Sequence, residues 1–256
     1  MPRQSGSDVG GARSLIATAS ACLAPSLWHG SRILAAAFIA LIVGAGAVLL
    51  TLRFVDPPGS AVMAWQALSG REIRHKWVPL RQISPRLLQA VVVSEDARFC
   101  SHYGIDIAAL EHAIRDAQAR GGLNVRGGST ISMQVVKNLF LWQEKSLGRK
   151  GVELMLTPLM ELILPKHRIL EIYLNIAEWG PGIFGVEAAA QYHFRRSAVR
   201  LDAQQSALLA AALPNPIIRR AGRPGTRVQR QARRVFKRAV RPGRLLSCLP
   251  KGIIRR

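Results

Sequence analysis

The last forty residues of this chain contain no acid: from Ile217 to Arg256 there are twelve arginines and two lysines, and neither aspartate nor glutamate. That segment supplies 14 of the net charge of +21, which leaves the rest of the chain only mildly basic. Such a run suits nucleic acid or an anionic membrane surface equally well, and charge does not choose between them. Cysteine is scarce too. Cys22, Cys100 and Cys248 have no metal-ligand spacing and suggest no disulfide framework, so they say little about compartment. Strand-like alternation is missing beyond a few residues after residue 84, and no internal repeat is found, which points away from all-β and solenoid architectures. At 256 residues the chain holds one sizeable domain with appendages.

What is present begins with an uncharged run from Ile33 to Leu52, bounded by Arg32 and Arg53. Twenty helical residues span about 30 Å, the thickness of the hydrocarbon layer. A cleaved signal peptide competes, because Ala45-Gly46-Ala47 looks like a processing site. The run is too long for an h-region and that site lies inside it, so an uncleaved anchor over 31–53 is expected. Flanking charges do not set its orientation. A short extension, 1–30, precedes it. Asp56-Pro57-Pro58-Gly59 breaks the helix, and a domain over 57–216 is expected to follow, closed by Pro214-Asn215-Pro216. The remainder, 217–256, reads as a solvated basic tail.

Within the domain the apolar periods are helical. Ser84-Pro85 starts a helix that places Leu88, Val91, Val92 and Glu95 on one face. Glu95 thus extends an apolar stripe at a helix C-terminus, where burial and the macrodipole both favour its protonated form. That is the setting of a general base; the plainer alternative is a salt-bridging glutamate paired with Arg98 or Lys137. Asp106 caps a second helix that runs to about Arg120, and His102, in the connection, serves to order the loop. After Gly127-Gly128, Ser129 or Thr130 caps a helix with Thr130, Gln134, Lys137 and Asn138 on its polar side, suited to a phosphate or sugar hydroxyls. Ser146 caps the next helix, where Glu153 is either an ordinary ion-pair partner of Arg149 or the centre of a cationic cluster with Lys145, Arg149 and Lys150. Leu154 to Leu164 reads as a core helix kinked by Pro158, the alternative being a surface that dips into lipid.

Several of these residues recur in order as motifs: Glu95-Asp96-x-x-Phe99-x-x-His102-x-Gly104-x-Asp106, Gly127-Gly128-Ser129-Thr130-Ile131-x-x-Gln134 with Lys137-Asn138, Arg149-Lys150-x-x-Glu153, Arg168-Ile169-Leu170-Glu171-x-Tyr173-Leu174-Asn175, and Gly185-Val186-Glu187-Ala188-Ala189-Ala190. Over roughly residues 60 to 216 the chain resembles the peptidoglycan glycosyltransferases of family 51. With one anchor and no penicillin-binding domain behind it, it is similar to their monofunctional members. The resemblance implies a mainly α, lysozyme-like, two-lobed helical domain behind one transmembrane helix, on the periplasmic side of the cytoplasmic membrane. It implies polymerisation of lipid II with inversion, undecaprenyl pyrophosphate leaving. Glu95 would be the general base and Glu153 the second essential glutamate. Lys137 and Lys145 would lie near the pyrophosphates, with Arg149 and Lys150 beside them, and Ser129, Thr130, Gln134 and Asn138 would line the cleft. A divalent cation, Mg or Mn, is the candidate cofactor, its ligands unassigned, and no organic cofactor is expected. The implied partners are lipid II, the growing glycan strand, membrane lipid and other cell-wall synthesis proteins; nucleic acid is not expected. The chain departs from the pattern at Met133, where many members carry glutamine, at Phe184, a common tyrosine, and at Arg195-Arg196, a common Gly-Lys.

Two rivals bear on the same residues. A lysozyme-like peptidoglycan hydrolase would share the helical fold and an essential glutamate but would not require Lys137, Lys145, Arg149 and Lys150. A membrane-tethered binding protein would use the basic tail, with Arg227, Arg230, Arg234, Lys237, Arg238 and Arg241 along a helix.

Overall fold

The computed structural model describes residues 32–33, 35–122, 127–144, 146–240 and 245–254. The extension 1–30, Lys145 and positions 241–244 and 255–256 of the basic segment lie outside the described residues. The chain divides into two units, 1–48 and 49–256. The helix α1, Ala35–Leu52, has a mean hydropathy of 2.5, and only 11% of it is buried, unlike the core helix of a soluble domain. By length and composition it can cross a bilayer.

The second unit is mainly helical. In chain order it comprises α2 (Ala61–Leu68), β1 (Arg74–His75), α3 (Pro85–Glu95), α4 (Ile107–Ala119), α5 (Ile131–Phe140), α6 (Leu147–Ile163) and α7 (Lys166–Ile176). There follow β2 (Glu178–Gly180), β3 (Ile183–Phe184), α8 (Val186–Phe194), α9 (Ala203–Ala212), α10 (Thr226–Ala239) and a last turn, α11 (Lys251–Ile254). Side chains of the sequence itself start the helices. Asp106 caps α4 through Ala109 N–H, Thr130 caps α5 through Met133 N–H, Ser146 caps α6 through Arg149 N–H, and Asp202 with Gln205 forms a capping box on α9. Ser84 departs from expectation: Pro85 opens α3, but the Ser84 hydroxyl donates to Leu201 O at 2.8 Å, tying α3 to the entry of α9.

The helices pack in two groups, α3 with α9 and α10, and α5 with α6 and α7. Leu87, Leu88, Val91 and Val92 of α3 are fully buried, as are Ile169, Leu170 and Ile172 of α7. Each such side chain contributes about 1.5–3 kcal/mol by leaving water. A small sheet, ordered β1-β3-β2, closes beside α8, with β1 parallel and β2 antiparallel to β3. Its β2–β3 turn requires Gly182: φ is +71°, and a Cβ there would lie 2.3 Å from Glu72 O.

Three expectations change. The domain does not end at Pro216: Val228, Ala232, Val235 and Ala239 form a buried stripe on α10 that packs against α9 and α3, and only the outer face of that helix is basic. Leu154 to Leu164 is not a core helix throughout. Leu156 and Met160 are buried, but Leu154 and Leu162 are 36% and 83% exposed, and α6 runs on through Pro158. Cys100 and Cys248 are joined in a disulfide across 148 residues, a pairing that spacing alone does not reveal.

The start of the second unit is fixed by Arg168 of α7. Its guanidinium donates to Leu52 O and Val55 O, each at 2.8 Å, and pairs with Asp56 and Glu171. Among the described residues, the only non-glycine with a left-handed backbone is Arg195, at φ 53°, which ends α8 where the resemblance expects glycine.

Candidate active site

Glu95 is the last residue of α3. Its Oε2 accepts from Gln134 Nε2 at 3.1 Å, while Oε1 is buried with no hydrogen-bond partner. Tyr173 of α7, itself buried, donates its hydroxyl to Gln134 Oε1 at 3.3 Å, which sets the direction of that amide. Burial raises the pKa of Glu95 above the ordinary carboxylate range; the bond from Gln134 and the charges of Lys137 and Arg219 work against that rise.

The neighbouring acid does something different. Asp96 is buried, accepts from Ile131 N–H at the start of α5 at 3.0 Å, and meets His102 Nε2 at 3.0 and 3.1 Å through its two oxygens. The glycine-led helix start was expected to meet a substrate anion, but the N–H groups of Ile131 and Met133 in its first turn are taken by Asp96 and by Thr130. Asp96 is therefore the anion at the positive end of α5, and it locks the Glu95 corner to the Gln134 helix.

A cavity of about 320 Å³ runs beside α5, lined by Gln134, Lys137, Asn138, Trp142, Tyr173 and Asn215 among others. Lys137 makes no ion pair or hydrogen bond among the described residues. Burial lowers its pKa, as do Arg149 and Lys150, whereas Glu153 and Glu95 raise it. One ammonium thus lies within electrostatic reach of both glutamates. Glu153 is only 3% exposed, with Oε1 paired to Arg149 and Oε2 to Lys150 Nζ at 2.9 Å. Lys150 Nζ also reaches Ser129 Oγ at 3.3 Å.

Gln134, Lys137 and Asn138 of the polar row of α5 line the cavity, and Ser129 is joined to Lys150. Two expected substrate contacts are corrected. Thr130 is buried, its hydroxyl donating to Gly104 O while capping α5, so it does not face the cleft. Arg149 is 8% exposed and held by Glu153 and, at 2.8 Å, by Glu144 O, which makes it a support for Glu153 rather than an open contact. Lys145 lies outside the described residues. Sequence reasoning assigned no role to Asp96, Tyr173 or Arg219. Asp96 and Tyr173 stood within the motifs, and Arg219 was hidden in the basic run.

The donors for a divalent cation are already engaged. Both oxygens of Glu153 are in ion pairs. Asp96, His102 and Asp106 bring ligand atoms within 4.8 Å of one another, but Asp96 serves Ile131 and His102, and Asp106 serves Ala109 and lies 3.5 Å from Arg98. Glu153 and the Asp96, His102 and Asp106 cluster therefore fit a metal poorly.

A half-buried carboxylate with one unpartnered oxygen, within electrostatic reach of an ammonium without a hydrogen bond, suits base-assisted transfer to or from an anionic group. The transglycosylase family model matches residues 61–240, and the chain belongs to that family of enzymes. Among its relatives, the biosynthetic peptidoglycan transglycosylase of Rhodospirillum centenum is 48% identical over 221 residues, 85% of this chain and 95% of its own length. The protein of that name from Brucella suis is 45% identical over 226 residues, 87% of this chain and all of its own. That from Nitrobacter hamburgensis is 51% identical over 202 residues, covering 78% and 88%. The family match runs past Pro216 to Val240, in accord with the packing of α10.

Proposed function

We propose that the protein polymerises lipid II into peptidoglycan glycan strands, anchored by α1 in the cytoplasmic membrane with its catalytic domain on the periplasmic side. The observation that carries the reading is the open, buried Oε1 of Glu95 beside the unpaired Lys137. A buried polar atom without a partner calls for an explanation, and an acceptor hydroxyl supplies one.

In this reading the acceptor's sugar 4-hydroxyl donates to Glu95 Oε1, and its proton passes to that oxygen as the hydroxyl oxygen attacks the anomeric carbon of the growing strand. The bond from that carbon to the pyrophosphate oxygen breaks, and the electron pair leaves with undecaprenyl pyrophosphate. Gln134 holds the other oxygen of Glu95, so the open one is aimed rather than free to rotate. Lys137 and Lys150 stand where negative charge grows on the leaving group, in a partly desolvated site where fixed cations act strongly. Glu153 keeps that cluster together by neutralising Arg149 and Lys150. Hydrolysis of an uncharged glycosidic bond would give Lys137 no counter-charge, and this favours transfer from a pyrophosphate over the hydrolase. The disulfide supports an oxidising compartment for the domain, as the periplasm is.

The test is purified full-length protein given labelled lipid II in detergent micelles. Polymer that muramidase digests is expected, formed about 10³-fold more slowly by Glu95→Gln. A fully active Glu95→Gln would overturn the assignment of the base.

A further inference from the structure

Helix α10 is more than a basic surface, because its cations line two neighbouring cavities. Arg227, Arg230, Arg234, Lys237 and Arg238 are exposed and, among the described residues, form no side-chain hydrogen bond or ion pair. One cavity, of about 380 Å³, lies between Ala211, Pro214 and Arg219 on one side and Arg227, Arg230 and Arg234 on the other. A second, of about 440 Å³, is lined by Ser94, Arg234, Val235, Lys237 and Arg238. Gln231 and Arg234 line both, so the two cavities are neighbours along α10. Ser94 precedes Glu95 in α3, and the charge of Arg219 acts on Glu95. The two cavities therefore follow α10, a helix of 14 residues and about 21 Å, and their linings include the residue that precedes the base.

On the reading of the reaction above, we infer that this row of cavities binds the peptide stems of the glycan strand through their carboxylates as the strand moves away from Glu95. Each stem peptide ends in a carboxylate, and guanidinium groups take carboxylates in paired hydrogen bonds. A row of concave cavities suits a strand bearing side branches, whereas a bilayer surface is flat. The track also explains why these cations have no protein partners: a fixed acid on α3 or α9 would compete with each stem as it arrives.

The experiment measures binding without turnover. Full-length protein is titrated with a soluble glycan tetrasaccharide carrying pentapeptide stems, and with the same fragment after its stem carboxylates have been amidated. Wild type should bind the native fragment at least tenfold more tightly than the amidated one, with a difference that shrinks as salt rises. Replacing Arg230→Gln, Arg234→Gln and Lys237→Gln together should weaken native-fragment binding about tenfold and leave amidated-fragment binding unchanged. These three side chains are exposed, and a thermal melt checks the fold. Equal wild-type affinity for the two fragments overturns the inference without any variant. So does a triple variant that binds the native fragment normally but loses binding to phosphatidylglycerol vesicles, which would make the face a membrane contact. A wild type that binds the fragment but never polymerises lipid II would instead sink the reaction proposed above.

Discussion

The end of α3 carries a half-buried glutamate and the middle of α6 a buried one, and the two are treated in opposite ways. Glu153 has both oxygens in ion pairs. Glu95 has one oxygen on a neutral amide and one on nothing. A satisfied carboxylate is a structural element that holds cations in place. An unsatisfied one is held in an unfavourable state that only a ligand relieves, and sites of that kind trade stability for reactivity. Lys137 belongs with Glu95 in this respect, being a half-buried cation without a partner.

The sharpest test of that contrast is Glu95→Gln, which should lower the polymerisation rate by about 10³-fold, within the usual range for a lost acid–base group. Its effect on stability should have the opposite sign. Because the folded-state pKa of Glu95 is raised, its contribution to stability is fully present below the unfolded pKa and is lost as pH climbs through the folded one. The variant should therefore melt at a higher temperature than wild type at pH 8, and the difference should disappear in acid. A melting temperature that falls at pH 8 would show that Glu95 is not strained.

Next in size is Lys137→Met, expected to slow turnover about 10²-fold, as when one preorganised donor is lost. Its folded pKa is depressed, so it favours folding above the unfolded pKa and ceases to as pH falls through the folded one. At neutral pH the methionine variant should consequently gain stability, read as a higher urea midpoint. Glu153→Gln should do the reverse. Leaving Arg149 and Lys150 beside each other without their acid should cost about 3 kcal/mol in urea unfolding, with about a tenfold loss of rate, since breaking a buried pair strands its partner. Equal destabilisation by Glu95→Gln and Glu153→Gln would erase the distinction between the two acids.

The smallest effect is expected for Gln134→Leu. It removes the bond that restrains the pKa of Glu95, so the acid limb of the pH–rate profile should move to higher pH, with a loss of less than about tenfold at the optimum. A limb that stays in place would mean that Gln134 contacts substrate without tuning the base.

Much of this site was legible in order along the chain. Glu95 falls on the apolar stripe of α3 because i, i+3, i+4 and i+7 spacing is local, and the same rule places Gln134, Lys137 and Asn138 together on α5. What failed were inferences about which partner a polar group meets. Thr130 could be seen as a cap but not as a donor to Gly104, 26 residues away, and the N–H groups of α5 could be seen as open but not as filled by Asp96, 35 residues away. The disulfide and the packing of α10 belong to the same kind of fact. Charge hid the second: fourteen cations drew attention from Val228, Ala232, Val235 and Ala239, which carry the helical period through the basic run and bring α10 onto α9.

The bond between Cys100 and Cys248 closes the chain into a covalent ring. Every cation named in the α10 cavities and the cleft lies within that ring, from Lys137 to Arg238, while Glu95 stands five residues outside it. A tie across 148 residues restricts the unfolded chain by an amount on the order of 5 kcal/mol. A single backbone cut on any loop from 101 to 247 would accordingly leave both fragments attached, so proteolytic nicking should separate them on a gel only after a reducing agent is added.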